Sequence, residues 1–299
     1  MDVIGSLTLA VATLLVVLVS GNNAQACVGN LIGAKVLRTR TALVIEVVGV
    51  SLGLLFQGTN MTTAAAHLAK GVSPDTILIV LTITLALFAV AHTARLPLSL
   101  THILPALLAG VALAFTPYFF IMILAWMAAP AAALVATPLI ARLASGSWAN
   151  DFWAKVELYK TLLIIVSFIF AFTLGANTIG LIVAVEGFGG LSIPLAVSGV
   201  VVGTFFLSAG EIRRVTSDMF ELGYSSAMSS MLTSGILVEA STLAGIPMAN
   251  TMVQNTAVFG AGLSYKTRFF SAKAFYLVAL SWIVFPAAGI AAGAIIALI

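Results

Sequence analysis

The sequence predicts an all-α polytopic membrane protein, and three observations carry that prediction. Apolar residues fill 61% of the 299 positions, against roughly 45–50% in an ordinary soluble chain. Only 23 side chains are charged, 13 Lys or Arg and 10 Asp or Glu, too few to cover a water-facing surface. The apolar residues gather in long runs, and a chain of this length has room for about ten segments of spanning size. The same figures exclude an ordinary soluble enzyme, a disordered tail and a nucleic-acid binder, because an excess of three positive charges is too small and too scattered for a phosphate-backbone footprint. The single cysteine, Cys27, excludes a disulfide framework and a cysteine-rich metal site. No cofactor is called for.

Met1 to Ala26 ends in Ala24-Gln25-Ala26, which imitates a signal-peptidase site. Its only charge is Asp2, whereas a signal peptide starts positive, so a retained first helix is expected.

The chain repeats itself. Leu124-Ala125-Trp126 through Pro130 returns as Leu280-Ser281-Trp282 through Pro286, offset by 156, and Leu96-Pro97-Leu98 through Gly110 returns as Ile246-Pro247-Met248 through Gly260, offset by 150. Asn22 pairs with Asn177, offset by 155. Three anchors in one order define a membrane repeat over 1–145, a polar linker over 146–155 and a second membrane repeat over 156–299. Each repeat has five apolar stretches: 3–20, 41–57, 76–92, 103–115 and 118–141 in the first, 161–174, 193–209, 226–244, 252–263 and 274–298 in the second. Breaks are expected near Asn22 and Asn177, and near Pro97 and Pro247.

Basic residues orient the repeats. Lys35, Arg38 and Arg40 follow the first stretch of repeat 1; Arg213 and Arg214 follow the second stretch of repeat 2, and Lys266, Arg268 and Lys273 its fourth. If the repeats are inverted, these clusters share a side with Arg142, Lys155 and Lys160. Eleven of the thirteen basic residues then face the cytoplasm under the positive-inside rule, with Lys70 and Arg95 as exceptions. The reading is an inner-membrane protein with a cytoplasmic linker and both termini outside.

Inverted repeats with interrupted helices are the architecture of secondary transporters. Irregular backbone at membrane depth survives only where protein buries it or where it lines a wet cavity. The breaks at Asn22–Asn30, Pro97–His102, Asn177–Gly180 and Pro247–Gln254 are therefore the expected binding region.

With these residues in view, the chain resembles the inorganic phosphate transporter (PiT) family, including the sulfate permeases related to it. Gly175-Ala176-Asn177-Thr178 is similar to the family's G-A-N-D segment, with Thr178 in the aspartate position. Gly21-Asn22-Asn23 followed by Gly33-Ala34-Lys35-Val36-Leu37 resembles its N-D…G-A-K-V-L, with Asn23 in the aspartate position. Leu96-Pro97-Leu98-Ser99-Leu100-Thr101-His102 is similar to the family's second motif. Gly245 through Met252 follows the same frame, with Met252 in the histidine position. Glu46 resembles a membrane glutamate of the family, and Ser281 through Pro286 its final helix. The resemblance implies oxyanion import by alternating access, and a homodimer.

Half-helix N-termini carry about half a positive charge each and attract anions. Side chains in the breaks would complete an oxyanion cage: Asn22, Asn23, Gln25, Asn30, Ser99, Thr101, His102, Asn177, Thr178, Asn250, Thr251 and Gln254. Hydrogen phosphate carries a proton and gains from a carboxylate acceptor, whereas sulfate is fully deprotonated and is repelled by one. Asn23 and Thr178 in place of aspartates therefore favour sulfate, with sodium-coupled phosphate import as the alternative. The coupling cation would be H⁺ or Na⁺. Asn23 and Thr178 are candidates for a sodium site, and Glu46 and Glu239 are the acids most firmly embedded in apolar stretches, where ionisable residues are functional by default.

Arg95 is an anion-attracting residue or a snorkelling anchor. His67 and His92 read as interfacial or packed, and Trp126 and Trp282 as packing or interface anchors. An intramembrane enzyme would need a zinc pair, an aspartate-rich metal motif or a Ser/His dyad, and neither the ten acids nor the three histidines supply that spacing. An anion channel of inverted repeats differs from a transporter only in its inability to accumulate anion against a gradient.

Overall fold

The computed structural model describes residues 3–94, 98–144, 152–218, 224–264 and 272–298. Among them the chain is helical, without a strand. The first half contains α1 (Val3–Gly33), α2 (Thr39–Gln57), a 3₁₀ turn (Gly58–Met61) leading into α3 (Thr62–Leu68), α4 (Pro74–Ala94), α5 (Leu100–Val111) and α6 (Pro117–Ala144). The second contains α7 (Phe152–Thr173), a π-helical turn (Leu174–Ile179) leading into α8 (Gly180–Glu186), α9 (Ser192–Asp218), α10 (Tyr224–Leu243), α11 (Asn250–Ser264) and α12 (Ala272–Ile296).

Six helical stretches among the described residues are long and apolar enough to cross a membrane: Val3–Gly33, Thr39–Leu68, Pro74–Thr93, Pro117–Leu143, Trp153–Glu186 and Ser192–Gly210. Along α6, Phe120, Leu124, Met127, Val135 and Leu139 form an exposed apolar stripe. No soluble protein leaves such a stripe in water, and a bilayer covers it at no cost. The chain is a multi-pass membrane protein.

The expected apolar stretches overlap α1, α2, α4, α5 and α6, then α7, α9, α10, α11 and α12, with 103–115 running four residues past the end of α5 at Val111. One of these helices is short. With 12 residues, α5 measures about 18 Å, so it cannot cross a hydrocarbon core of about 30 Å alone.

The expected breaks need correction. α1 runs unbroken from Val3 to Gly33 through Asn22, Asn23, Gln25 and Asn30. No proline removes a donor there, and the Asn23 amide bonds back to the Val19 carbonyl one turn earlier at 2.9 Å, which absorbs the polar side chain without opening the helix. At Asn177 the chain also stays helical. Its hydrogen-bond register widens to π over Leu174–Ile179, a local bulge rather than an unwound segment. The first stretch of the second half consequently extends from Phe152 to Glu186, well past the expected 161–174, because the helix carries polar residues that a hydropathy window excludes.

The halves pack reciprocally. A methyl group placed on Gly53 of α2 would stand 1.9 Å from the Phe172 carbonyl oxygen of α7, and one on Gly203 of α9 would stand 2.1 Å from the Val17 carbonyl oxygen of α1. Gly203 follows Gly53 by 150 positions and Phe172 follows Val17 by 155, so each crossing joins one half to the other at nearly the same sequence offset. The same relation joins Gly110 of α5, 2.3 Å by the same measure from the Ile290 carbonyl oxygen of α12, to Gly260 of α11, 2.8 Å from that of Leu134 in α6. Their offsets are 150 and 156. Each half thus lays its helices against the other half, where glycine allows backbones to touch.

Candidate functional site

The connector between α10 and α11, residues 244–249, is the non-helical backbone around which the polar residues of the second half gather. Gly245 begins it at φ +68°, a left-handed conformation that favours glycine. A methyl group there would also lie 2.9 Å from Thr63 Cβ and 3.1 Å from the Asn60 carbonyl oxygen. The Gly245 and Ile246 amides turn back onto the Thr242 and Ser241 carbonyls at 3.0 and 2.8 Å, which closes α10.

Four consecutive connector carbonyls each meet a side-chain donor. Tyr118 Oη donates to Gly245 at 2.5 Å, Asn177 Nδ2 to Ile246 at 3.1 Å, and Trp126 Nε1 to Pro247 at 2.7 Å. The Asn250 amide, turned so that its nitrogen faces Met248, donates to that carbonyl at 3.2 Å and accepts from the Leu174 amide at 3.3 Å. A chain excluded from water cannot leave such carbonyls unpaired, so these donors are what permit a connector here.

The expected site residues fall into three groups. In the first, Asn177 and Asn250 converge on Met248: Asn177 Oδ1 accepts from the Met248 amide at 2.8 Å and its Nδ2 also donates to Thr242 Oγ1 at 2.9 Å. Thr178 lies buried in the π turn, Thr251 half-buried in the first turn of α11, and Gln254 buried one turn further on. The Ser234 hydroxyl of α10 donates to Gln254 Oε1. In the second group, Ser99, Thr101 and His102 begin α5. The Ser99 and Thr101 hydroxyls lie 3.1 Å apart, and the Ser99 carbonyl accepts from the His102 and Ile103 amides. The buried His102 ring leans on Trp126 with centroids 4.4 Å apart, so Trp126 touches the start of α5 while holding the connector before α11. The third group, Asn22, Asn23, Gln25 and Asn30, lies on the unbroken α1, which packs against α7, α8, α9 and α11. Gln25 Oε1 is buried and meets no protein donor.

The two acids lie in different places. Glu46 of α2 is fully buried; one oxygen is 3.5 Å from the Thr204 hydroxyl of α9 and the other meets no protein donor. Glu239 of α10 is half-buried, with one buried oxygen lacking a protein donor. No group of three or more His, Cys, Asp or Glu is gathered among the described residues. The oxygen-rich amide and hydroxyl set is of the kind that serves a hard monovalent cation or an oxyanion. Arg95, Leu96, Pro97, Lys266 and Arg268 lie outside the described residues.

Tyr118, Trp126, Thr242 and Ser234 were not among the expected site residues. Trp126 is a hydrogen-bond donor to the connector and not only a packing or interface anchor. Its signal is the Trp-to-Pro spacing shared by Trp126–Pro130 and Trp282–Pro286. The other three carry no spacing that separates them from ordinary helix residues.

No protein-family model matches the chain, and no curated protein matches it. Among solved structures, the sodium-dependent phosphate transporter matches with a TM-score of 0.82 over 99% of this chain and 98% of its own, at 16% identity. From end to end, the chain has the fold of that transporter, as the sequence resemblance implies.

Proposed function

We propose that this chain is a cation-coupled secondary transporter of inorganic phosphate. The observation that carries the reading is the pair of helix starts at α5 and α11. Both lie beside Trp126, and both offer hydroxyl or amide side chains in or next to the first turn: Ser99 and Thr101 on one, Asn250 and Thr251 on the other. Two such N-termini supply partial positive charge for an oxyanion without a titratable cation.

Phosphate replaces sulfate as the favoured substrate. The sulfate preference rested on lost acceptors at Asn23 and Thr178. In Asn23, however, one amide hydrogen goes to the Val19 carbonyl, and the side chain keeps a carbonyl oxygen, an acceptor, beside its second hydrogen. Gln25 adds a buried acceptor oxygen without a protein donor. A site that keeps acceptors suits an anion that carries a proton. The structurally similar protein is a phosphate transporter by its name, which favours the same substrate.

The exchanged crossings of Gly53 with Gly203 and of Gly110 with Gly260 favour two repeats related by a pseudo-two-fold axis. The distribution of basic residues favours inversion, a cytoplasmic linker and both termini outside. Glu46 is the coupling candidate that its burial favours, with Na⁺ the cation named for the similar protein.

Labelled phosphate uptake into proteoliposomes tests the reading, with sodium and proton gradients imposed separately and sulfate as competitor. Accumulation of phosphate against its gradient is expected under a sodium gradient. Uptake of sulfate that phosphate fails to displace would overturn the substrate, and flux without accumulation under either gradient would indicate a channel.

A further inference from the structure

We propose that Trp126 is a positioning residue that sets the starts of α5 and α11 relative to each other, with Tyr118 fixing the near end of the connector. The inference rests on the transport reading for its kinetic consequence but not for its geometry. Trp126 and Tyr118 both belong to α6, and the elements they hold lie about 120 residues away in the other half. Each acts with a histidine. The His67 ring of α3 stacks on Tyr118 at 4.6 Å and an interplanar angle of 13°, while the His102 ring of α5 leans on Trp126. Aromatic contact fixes where each ring lies, and the N–H or O–H then fixes the connector.

The two bonds reach Gly245 and Pro247, alternate carbonyls of one short segment, and Asn177 takes the one between. Pro247 has no N–H, so its carbonyl is its only backbone hydrogen-bonding group. Trp126 is the donor it has, and the indole is buried. Removing that donor leaves an unpaired carbonyl three residues before Asn250, the first residue of α11, and simultaneously frees the ring that His102 packs on. Trp126 has Trp282 as its counterpart 156 positions on, whereas the positions 156 after Tyr118 and 150 after His102 are Ala274 and Met252. The connector of the second half thus has its reference point on α6 of the first.

Trp126→Phe deletes the N–H while keeping an aromatic ring for His102, and Tyr118→Phe deletes only the hydroxyl. Two measurements are made on the full chain in proteoliposomes. In labelled phosphate uptake, Trp126→Phe is expected to raise KM about fivefold or more while the maximal rate changes less than twofold; a merely structural loss would lower the amount of active protein and leave KM unchanged. In hydrogen exchange, Trp126→Phe is expected to speed exchange in both 98–104 and 244–252, and Tyr118→Phe in 244–252 alone. Unchanged KM in both variants, or faster exchange confined to 244–252 in Trp126→Phe, overturns the proposal. Absence of phosphate uptake by the unaltered chain would sink the transport reading alone, because the exchange pattern decides the positioning role without substrate. If Trp126→Phe fails to fold, Tyr118→Phe decides the kinetic half: a raised KM supports the proposal and an unchanged one overturns it.

Discussion

The Asn177 side chain accepts a hydrogen bond from the Met248 backbone amide at 2.8 Å. The same side chain donates to the Ile246 carbonyl and to Thr242, so its nitrogen has no hydrogen left to offer. Asn177 is thus a staple between the π turn and the connector. It holds the backbone that leads into α11.

Asn177→Asp should therefore fail through the connector. One carboxylate oxygen can still accept from Met248, but the other would face the Ile246 carbonyl, acceptor against acceptor. A buried charge-to-dipole clash with a lost hydrogen bond costs roughly 1–3 kcal/mol, read as a lower thermal midpoint in detergent. Asn177→Asp with an unchanged midpoint and unchanged phosphate affinity would remove the staple from the description.

The exchanged helix crossings make a paired prediction. Gly53→Ala and Gly203→Ala each drive a methyl group into a carbonyl oxygen of the opposite half, and helix backbones cannot yield as a side-chain tip does. Both should destabilise by about 3 kcal/mol, and by similar amounts because each methyl group meets a backbone carbonyl oxygen at nearly the same distance. Gly262→Ala meets nothing within 4 Å and should be silent. Thermal midpoints of the three variants check this, and a silent Gly203→Ala would break the equivalence.

The limits of the sequence follow from the same contacts. The all-helical, membrane-spanning character was legible because long apolar runs are written locally. The break at Pro247 was legible because proline removes a donor. The break at Asn22 was misread because asparagine leaves its backbone N–H in place, and the Val19 carbonyl accommodates its side chain. The role of Tyr118 was not legible, and Trp126 was marked only by its repeated Trp-to-Pro spacing, which does not say what it bonds to. Their partners lie 127 and 121 residues away, and nothing local in α6 distinguishes a tryptophan that faces lipid from one that donates to a carbonyl.

Glu46 supports a test of coupling. Its carboxyl group lies buried between α2 and α9 with one oxygen near Thr204 and the other without a protein donor, an arrangement that a bound cation or a proton completes. Glu46→Gln keeps the volume and removes both the negative charge and the titration. Gradient-driven accumulation of phosphate should be lost, while phosphate–phosphate exchange across the membrane, which needs no net cation movement, should persist within about threefold. Intact sodium-driven accumulation in Glu46→Gln would move coupling elsewhere, with Glu239 the next acid to examine.

Asn23 supports a test of substrate choice. One of its amide hydrogens goes to the Val19 carbonyl, and substitution by aspartate changes its free oxygen from a neutral amide acceptor to a charged one. Hydrogen phosphate can donate its proton to that oxygen, and a charge-assisted bond of this kind is worth roughly 1.5–3 kcal/mol. Sulfate has no proton to give and meets the carboxylate as like charge. The committed nitrogen is lost in the same substitution, and the Val19 carbonyl must then rely on its helical bond alone, a modest cost shared by both anions. Asn23→Asp should therefore raise the preference for phosphate over sulfate by roughly tenfold or more, measured as the ratio of inhibition constants in competitive uptake. A ratio that stays level would place Asn23 outside the oxyanion's reach, and a ratio that moves toward sulfate would reverse the assignment of its carbonyl as the group facing the substrate.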